Sequence, residues 1–270
     1  MVSYPSVTVG GGMAPVPVTC TPPSGAMFPV GSTAVLCVAT DARQRSESCS
    51  FSITVQPPVR SSATTYTAFG DSITEGLSLP PRLIPNPPGS YPAILQALLS
   101  SRYTAQTMVV YDEGIGGRKV VEDLPRLRTA LTAEHPEALL LFEGANDLNE
   151  LGAAGMSAVV TGLQAMIREG RSRAATVFVA TLLPQRPGGQ RAYAPTLIAP
   201  TNDQIRVMAA AEGVTLVDLY AAFGGVAGTL IGDDGLHPNA DGKQKIAETF
   251  FDAIRSRLEI PPSSALRSRQ

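Results

Sequence analysis

The sequence predicts an α/β fold: a three-layer arrangement of about five parallel strands covered on both faces by helices, preceded by a small N-terminal β-sandwich module. Three observations carry this. Short apolar runs alternate with helically periodic segments from residue 65 onward, and such alternation demands crossover connections and hence parallel pairing. Residues 1–55 are instead rich in Val, Thr, Ser, Pro and Gly, with strand-like alternation broken by turn clusters. Several apolar runs of the second part also end in polar or glycine-rich turns, and in open parallel sheets the ligand cleft lies at the carboxyl ends of the strands.

In chain order, the first module offers strands at Pro15–Cys20, Thr33–Cys37 and Cys49–Val55. All three cysteines lie there. A Cys20–Cys37 bridge would close a short loop and contribute roughly 3 kcal/mol, which a module with so thin a core needs; Cys49 is then unpaired or bonded to a partner outside the sequence. Gln56–Thr64, QPPVRSSAT, reads as a linker, stiffened by proline and solvated by serine. The second part, 65–260, has strands expected at Tyr66–Phe69, Met108–Tyr111, Ala138–Phe142, Thr176–Leu182 and Val214–Leu219. Its helices are expected at Tyr91–Ser101, Val120–Ala133, Ala153–Arg171, Asn202–Glu212 and Ala240–Leu258. The tail 261–270, PPSSALRSRQ, reads as frayed.

Composition narrows the partners. A formal charge of -2 gives no basic field for nucleic acid, and no apolar run approaches membrane-spanning length. There is no HxxxH, no paired CxxC and no Walker or dinucleotide fingerprint, so neither a metal nor another cofactor is implied. The GxSxG elbow of the α/β-hydrolase fold is also missing. The start, MVSYPSVTVGGG, lacks the charged-then-apolar order of a signal peptide, whereas disulfide-type cysteines favour an exported, bacterial-type extracytoplasmic protein.

Four segments carry candidate chemistry. Ser72, in AFGDSITEG, sits on a tight turn after a strand, where a hydroxyl is aimed into a cleft; a helix-capping or turn serine is the plain alternative. Only two histidines exist. His135 ends a helical segment before Pro136, a sufficient structural explanation. His237 follows Asp234 by three positions across a glycine, so that the carboxylate can reach one ring nitrogen while the other faces outward, as a general base requires. The turn after Val109–Tyr111 can present a glycine N–H to an oxyanion, and Asn146, after Leu139–Phe142, offers a side-chain donor.

GDSITEG, DEGIGG, GAND and DGLHPN occur in the order of the four blocks of the SGNH hydrolases, or GDSL-type esterases and lipases, and the chain resembles that family from about Thr65 to Arg257. The resemblance implies a flavodoxin-like sheet and a serine esterase. Ser72, Asp234 and His237 would form its triad. The N–H groups of Ser72 and Gly117 and the Asn146 amide would form its oxyanion hole; Gly114 is the alternative register for the glycine. The second block commonly opens with asparagine; here that position is Asp112. Expected substrates are short-chain acyl or acetyl esters of small molecules or carbohydrates. Lysophospholipase, arylesterase and thioesterase are competing activities, and adhesion with an idle hydrolase domain is the reading from a different class. The loops Leu77–Ser90 and Pro184–Pro200 are expected to border the cleft. Residues 20–55 resemble the C-terminal part of a hyalin repeat, an immunoglobulin-like extracellular module. Such repeats commonly carry a further cysteine upstream, which would give Cys49 a partner. The module is expected to contact other domains or extracellular partners.

Overall fold

The structure, a computed structural model, describes residues 1–77 and 89–261. The central part of the predicted loop Leu77–Ser90 and all but the first residue of the predicted tail therefore lie outside the described residues. Those described fall into two compact units, Met1–Pro58 and Val59–Ile260.

The N-terminal unit is one antiparallel sheet of three strands, β1 (Val18–Thr21), β2 (Gly31–Thr40) and β3 (Ser46–Val55). Cross-strand neighbours share a face, and Cys20, Cys37 and Cys49 stand opposite one another in successive strands. Cys20 and Cys37 form the disulfide; Cys49 is an exposed free thiol. Asp41, buried at the β2–β3 turn, accepts the Arg43 and Arg45 N–H groups and the Arg45 guanidinium, which fixes the hairpin.

The second unit begins at β4 (Arg60–Ser61), which pairs antiparallel with the last strand, β10 (Glu259–Ile260). Five parallel strands form its centre: β5 (Thr65–Gly70), β6 (Val109–Gly114), β7 (Ala138–Phe142), β8 (Thr176–Ala180) and β9 (Thr215–Val217), in the order β6-β5-β7-β8-β9. This is the predicted flavodoxin-like order. It reverses direction at β5, whose neighbours β6 and β7 both follow it in sequence, and a crevice opens at such a switch point.

Alternation along the strands divides the core. Ala138, Leu140 and Phe142 of β7 face one apolar layer with Tyr91, Leu95 and Leu99 of α1 (Tyr91–Arg102) and Ile246, Phe250 and Ile254 of α7 (Ala240–Leu258). Leu139 and Leu141 face the other, made by Leu127 and Leu131 of α2 (Val120–Glu134), Leu163 and Ile167 of α4 (Ala154–Ser172) and Ile198 and Ile205 of α5 (Pro195–Glu212). Fully burying such side chains stabilises the fold by about 1.5–3 kcal/mol each.

Several elements and boundaries differ from the sequence reading. A short helix, α3 (Ala145–Leu151), occupies the polar turn after β7, and α6 (Leu219–Ala222) follows β9. Helix α5 starts at Pro195 rather than Asn202. Pro200 reads as a helix breaker, but its missing N–H removes a single intrahelical bond, and burial of Ile198, Ile205 and Met208 on one face outweighs that loss. Strand β6 runs on through Gly114, because Asp112, Glu113 and Gly114 stay paired with Ala68, Phe69 and Gly70.

Candidate active site

Strand β5 ends in a tight turn. The Asp71 carbonyl accepts the Glu75 N–H at 3.0 Å and its carboxylate accepts the Ile73 N–H at 2.9 Å, so Ser72 projects from the strand's carboxyl end. Burial pushes the Asp71 carboxyl up to about 7; the Ile73 N–H opposes the rise, and the negative charge of Asp147 adds to it.

The chain brings His237 to this serine from 165 positions away, with Ser72 Oγ and His237 Nε2 2.8 Å apart. On the other side of the ring, Nδ1 lies 2.5 Å from Asp234 Oδ2. Asp234 Oδ1 accepts the Leu236 and His237 N–H groups, each at 3.0 Å, which fixes the carboxylate within its own turn. Burial pushes the Asp234 carboxyl up, but the His237 ring and these two backbone donors outweigh it and hold it below the usual aspartate range. An ionised Asp234 fixes the proton on Nδ1 and leaves Nε2 as an acceptor for the Ser72 hydroxyl. The turn is held from outside: Arg186 N–H donates to the Gly235 carbonyl at 2.8 Å and Arg191 N–H to the Asp234 carbonyl at 2.9 Å. Asn239 caps α7 through the Gly242 N–H, so Asp234 is free of that duty. His135 lies at the C-terminal end of α2 in a left-handed conformation, with its N–H on the Leu131 carbonyl.

Ser72, Gly117, Asn146 and His237 line one cleft of about 740 Å³. Among the described residues, the Ser72 and Gly117 N–H groups have no protein acceptor. One Asn146 Nδ2–H donates to the Arg118 carbonyl at 2.9 Å, which orients the amide and leaves its second N–H available. Gly114 is differently placed. Its N–H donates to Asp112 Oδ1 at 3.1 Å, and a Cβ there would lie 2.0 Å from the Glu75 nitrogen, so close packing against the serine turn explains that glycine. At Gly117 a Cβ would meet nothing, but φ is +80°, which side chains rarely adopt. Asp112, standing where asparagine is common, also accepts the Ser90 hydroxyl, so the turn keeps its side-chain anchor.

Several residues that shape the site were not found from the sequence. Buried Asp147 accepts the Val120 and Val121 N–H groups at 3.0 and 3.3 Å, capping α2 from the first turn of α3. Glu75 accepts the Gly116 N–H at 2.7 Å and joins the serine turn to the glycine loop. Asn202 on α5 both accepts from and donates to Leu182, pinning the chain after β8. Lys243, buried on α7, donates to the Gly76 carbonyl at 2.7 Å. Of the two loops expected at the cleft, Leu77 contributes from the first and Gln190, Arg191 and Tyr193 from the second; Asn149 and Glu150 come from α3.

Residues 68–245 match the GDSL-like Lipase/Acylhydrolase family, and residues 3–55 match the HYR domain. A comparison with curated proteins finds no match. Among solved structures, the fold is similar to that of a lipase/acylhydrolase from Enterococcus faecalis (23% identity, TM-score 0.61, covering 72% of this chain and 96% of that one). It is similar also to an acetylxylan esterase from Geobacillus stearothermophilus (20%, TM-score 0.59, 72% and 96%) and to a GDSL-like lipase from Bacteroides thetaiotaomicron (19%, TM-score 0.54, 72% and 88%).

Proposed function

The chain belongs to the GDSL-like lipase/acylhydrolase family, and from that premise we propose that it is a serine esterase using Ser72, His237 and Asp234 as its triad. The observation that carries this reading is the continuous line from Ser72 Oγ through both ring nitrogens of His237 to Asp234 Oδ2, with bonds of 2.8 and 2.5 Å. His237 Nε2 takes the hydroxyl proton as Oγ attacks the ester carbonyl carbon, and Asp234 stabilises the imidazolium so formed. The carbonyl oxygen becomes an oxyanion, met by the N–H groups of Ser72 and Gly117 and by the Asn146 amide. His237 then protonates the departing alcohol. Water, deprotonated by the same nitrogen, attacks the acyl-serine; the Oγ–acyl bond breaks, His237 returns the proton to Oγ, and the acid is released.

The cleft favours a small acyl group on a polar alcohol. Beyond the reacting groups, Asn149, Glu150, Gln190 and Arg191 offer hydrogen-bonding side chains, Tyr193 adds an exposed ring, and Leu77 and Leu236 are the aliphatic lining among the described residues. Carbohydrate-linked acetate suits such a surface better than a long lipid chain, and the acetylxylan esterase among the structural relatives makes acetylated xylan the first polysaccharide to test. The match to the HYR domain and the Cys20–Cys37 bridge support an exported protein. No described helix is long and apolar enough to cross a membrane.

The test is hydrolysis of p-nitrophenyl esters of increasing acyl length beside acetate release from acetylated xylan, by the wild type and Ser72→Ala. Activity is expected to fall with chain length and to drop to background in the variant. A Ser72→Ala protein that hydrolyses p-nitrophenyl acetate at the normal rate would reject the assignment.

A further inference from the structure

Glu143 ends the run from β7 and stands three residues before Asn146. Its side chain is 2% exposed, and among the described residues no N–H or O–H donor reaches either carboxyl oxygen. An ionised carboxylate left so would carry a large desolvation cost with nothing to offset it.

The carboxyl within hydrogen-bonding reach is that of Asp123, on the first turn of α2 and itself fully buried. Asp123 is already an acceptor, taking Arg118 Nε at 2.6 Å and Arg126 Nε at 2.8 Å. Burial raises the Asp123 carboxyl, but the two guanidinium groups outweigh that and hold it below its ordinary value, so it is the ionised member of the pair. Two acceptors side by side attract one another only if a proton lies between them.

On balance the remaining charges around Glu143 oppose its ionisation, although the Arg126 charge favours it. Asp71 faces it from the serine turn and Asp123 from α2, both acidic. Arg126 from α2 and Arg118 from the glycine loop also act on it. Both arginines are committed elsewhere: Arg126 to Asp123 and the carbonyls of Gly70 and Glu113, Arg118 to Asp123.

We propose that Glu143 is a neutral carboxylic acid whose O–H donates to the Asp123 carboxylate, and that this shared proton positions the donors of the oxyanion hole. Asp123 holds the Arg118 side chain; the Arg118 carbonyl holds the Asn146 amide; Gly117 is the preceding residue. The proton thus ties the start of α3, which carries Asn146, to the loop that carries Gly117. Glu143 touches no reacting atom and acts as a positioning residue. Burial, with the charges of Asp71 and Asp123, pushes its carboxyl up to about 10, so the link persists through neutral pH and breaks under alkaline conditions.

The effect on turnover rests on the esterase reading above; the proton itself is read without substrate. Infrared difference spectra of the full chain at about pH 8, between the unfolded and folded pKa ranges, are expected to show a protonated-carboxyl C=O band. That band is lost in Glu143→Gln, kept in Asp71→Asn, and bleached in the wild type only near pH 10. In esterase assays corrected for spontaneous hydrolysis, wild-type kcat should decline over the same range and Glu143→Gln should lack that decline. Glu143→Leu, which cannot donate, should lose about 10²-fold of kcat at neutral pH, as misplaced catalytic groups do, with most of it restored in the glutamine variant. A wild type without the band, a band untouched by Glu143→Gln, or identical pH profiles for wild type and Glu143→Gln would overturn the proposal. If Glu143→Leu does not fold, the spectra and the two profiles still decide. If Ser72→Ala stays active, the esterase reading falls while the infrared result stands.

Discussion

Replacing Asn146 by alanine removes a side-chain donor from the cleft and also the bond from Nδ2 to the Arg118 carbonyl at 2.9 Å. The two losses act on different states. As the ester carbon becomes tetrahedral its oxygen gains a full negative charge, and a fixed N–H facing it strengthens as that charge grows. Deleting one such donor costs about 10²–10³ in kcat, or about 2.7–4 kcal/mol of transition-state stabilisation. The lost bond to Arg118 weakens the folded state by about 1 kcal/mol and loosens the loop that carries Gly117, which also lowers kcat. Neither loss removes a ground-state contact to the acyl or alcohol group, so KM should change little. The assay is steady-state hydrolysis of p-nitrophenyl acetate by Asn146→Ala, with Asn149→Ala as comparison. Asn149 lines the same cleft but uses its amide to bracket the backbone of Arg191 and Tyr193, so its loss should fall mainly on KM. An Asn146→Ala kcat within about tenfold of wild type, below the smallest cost of losing a donor, or a loss carried by KM alone, would refute the oxyanion role.

Asp234→Asn should keep the fold and lower kcat by about 10⁴-fold, because the amide cannot hold the Nδ1–H tautomer. Its stability should respond to acid in a set direction. A carboxyl held below its usual range stabilises the folded state above the unfolded aspartate pKa and ceases to do so as pH falls through the depressed value; the gap in melting temperature between wild type and Asp234→Asn should therefore close in strong acid and widen toward neutrality. Gly114→Ala, whose Cβ would sit 2.0 Å from the Glu75 nitrogen, should fail to give soluble folded protein; a normal melting temperature would contradict the packing. Thiol counting on the denatured, unreduced protein should find one reactive group, Cys49; three would remove the disulfide and with it a main support for export.

The parts of the site that the sequence displays are those held within one short segment. GDSITEG and DGLHPN each hold their candidate residues in a turn whose hydrogen bonds are local: Asp71 to Ile73, and Asp234 to Leu236 and His237. The strand-helix alternation was legible for the same reason, since each strand shows its own apolar run. What stayed hidden depends on partners remote in sequence. Asp147 reads as the last letter of a turn until Val120 and Val121 are seen to donate to it. Glu143 is an ordinary charged residue in a string and becomes an anomaly only when Asp71 and Asp123 are found around it. Helix α3 escaped because Ala145–Leu151 is two turns long and carries Asn and Asp in its first turn, residues that favour turns. The start of α5 escaped because Pro200 masks a helix carried by tertiary burial.

The central claim is that one hydroxyl in this chain is activated as a nucleophile. It is tested most directly by treating the protein with a chromogenic organophosphate ester and locating the adduct by peptide mass spectrometry. A single phosphorylated residue, Ser72, with activity lost in proportion to labelling and no labelling in His237→Ala, is the result expected. Labelling at another residue, or full esterase activity in protein whose Ser72 is quantitatively modified, would contradict it.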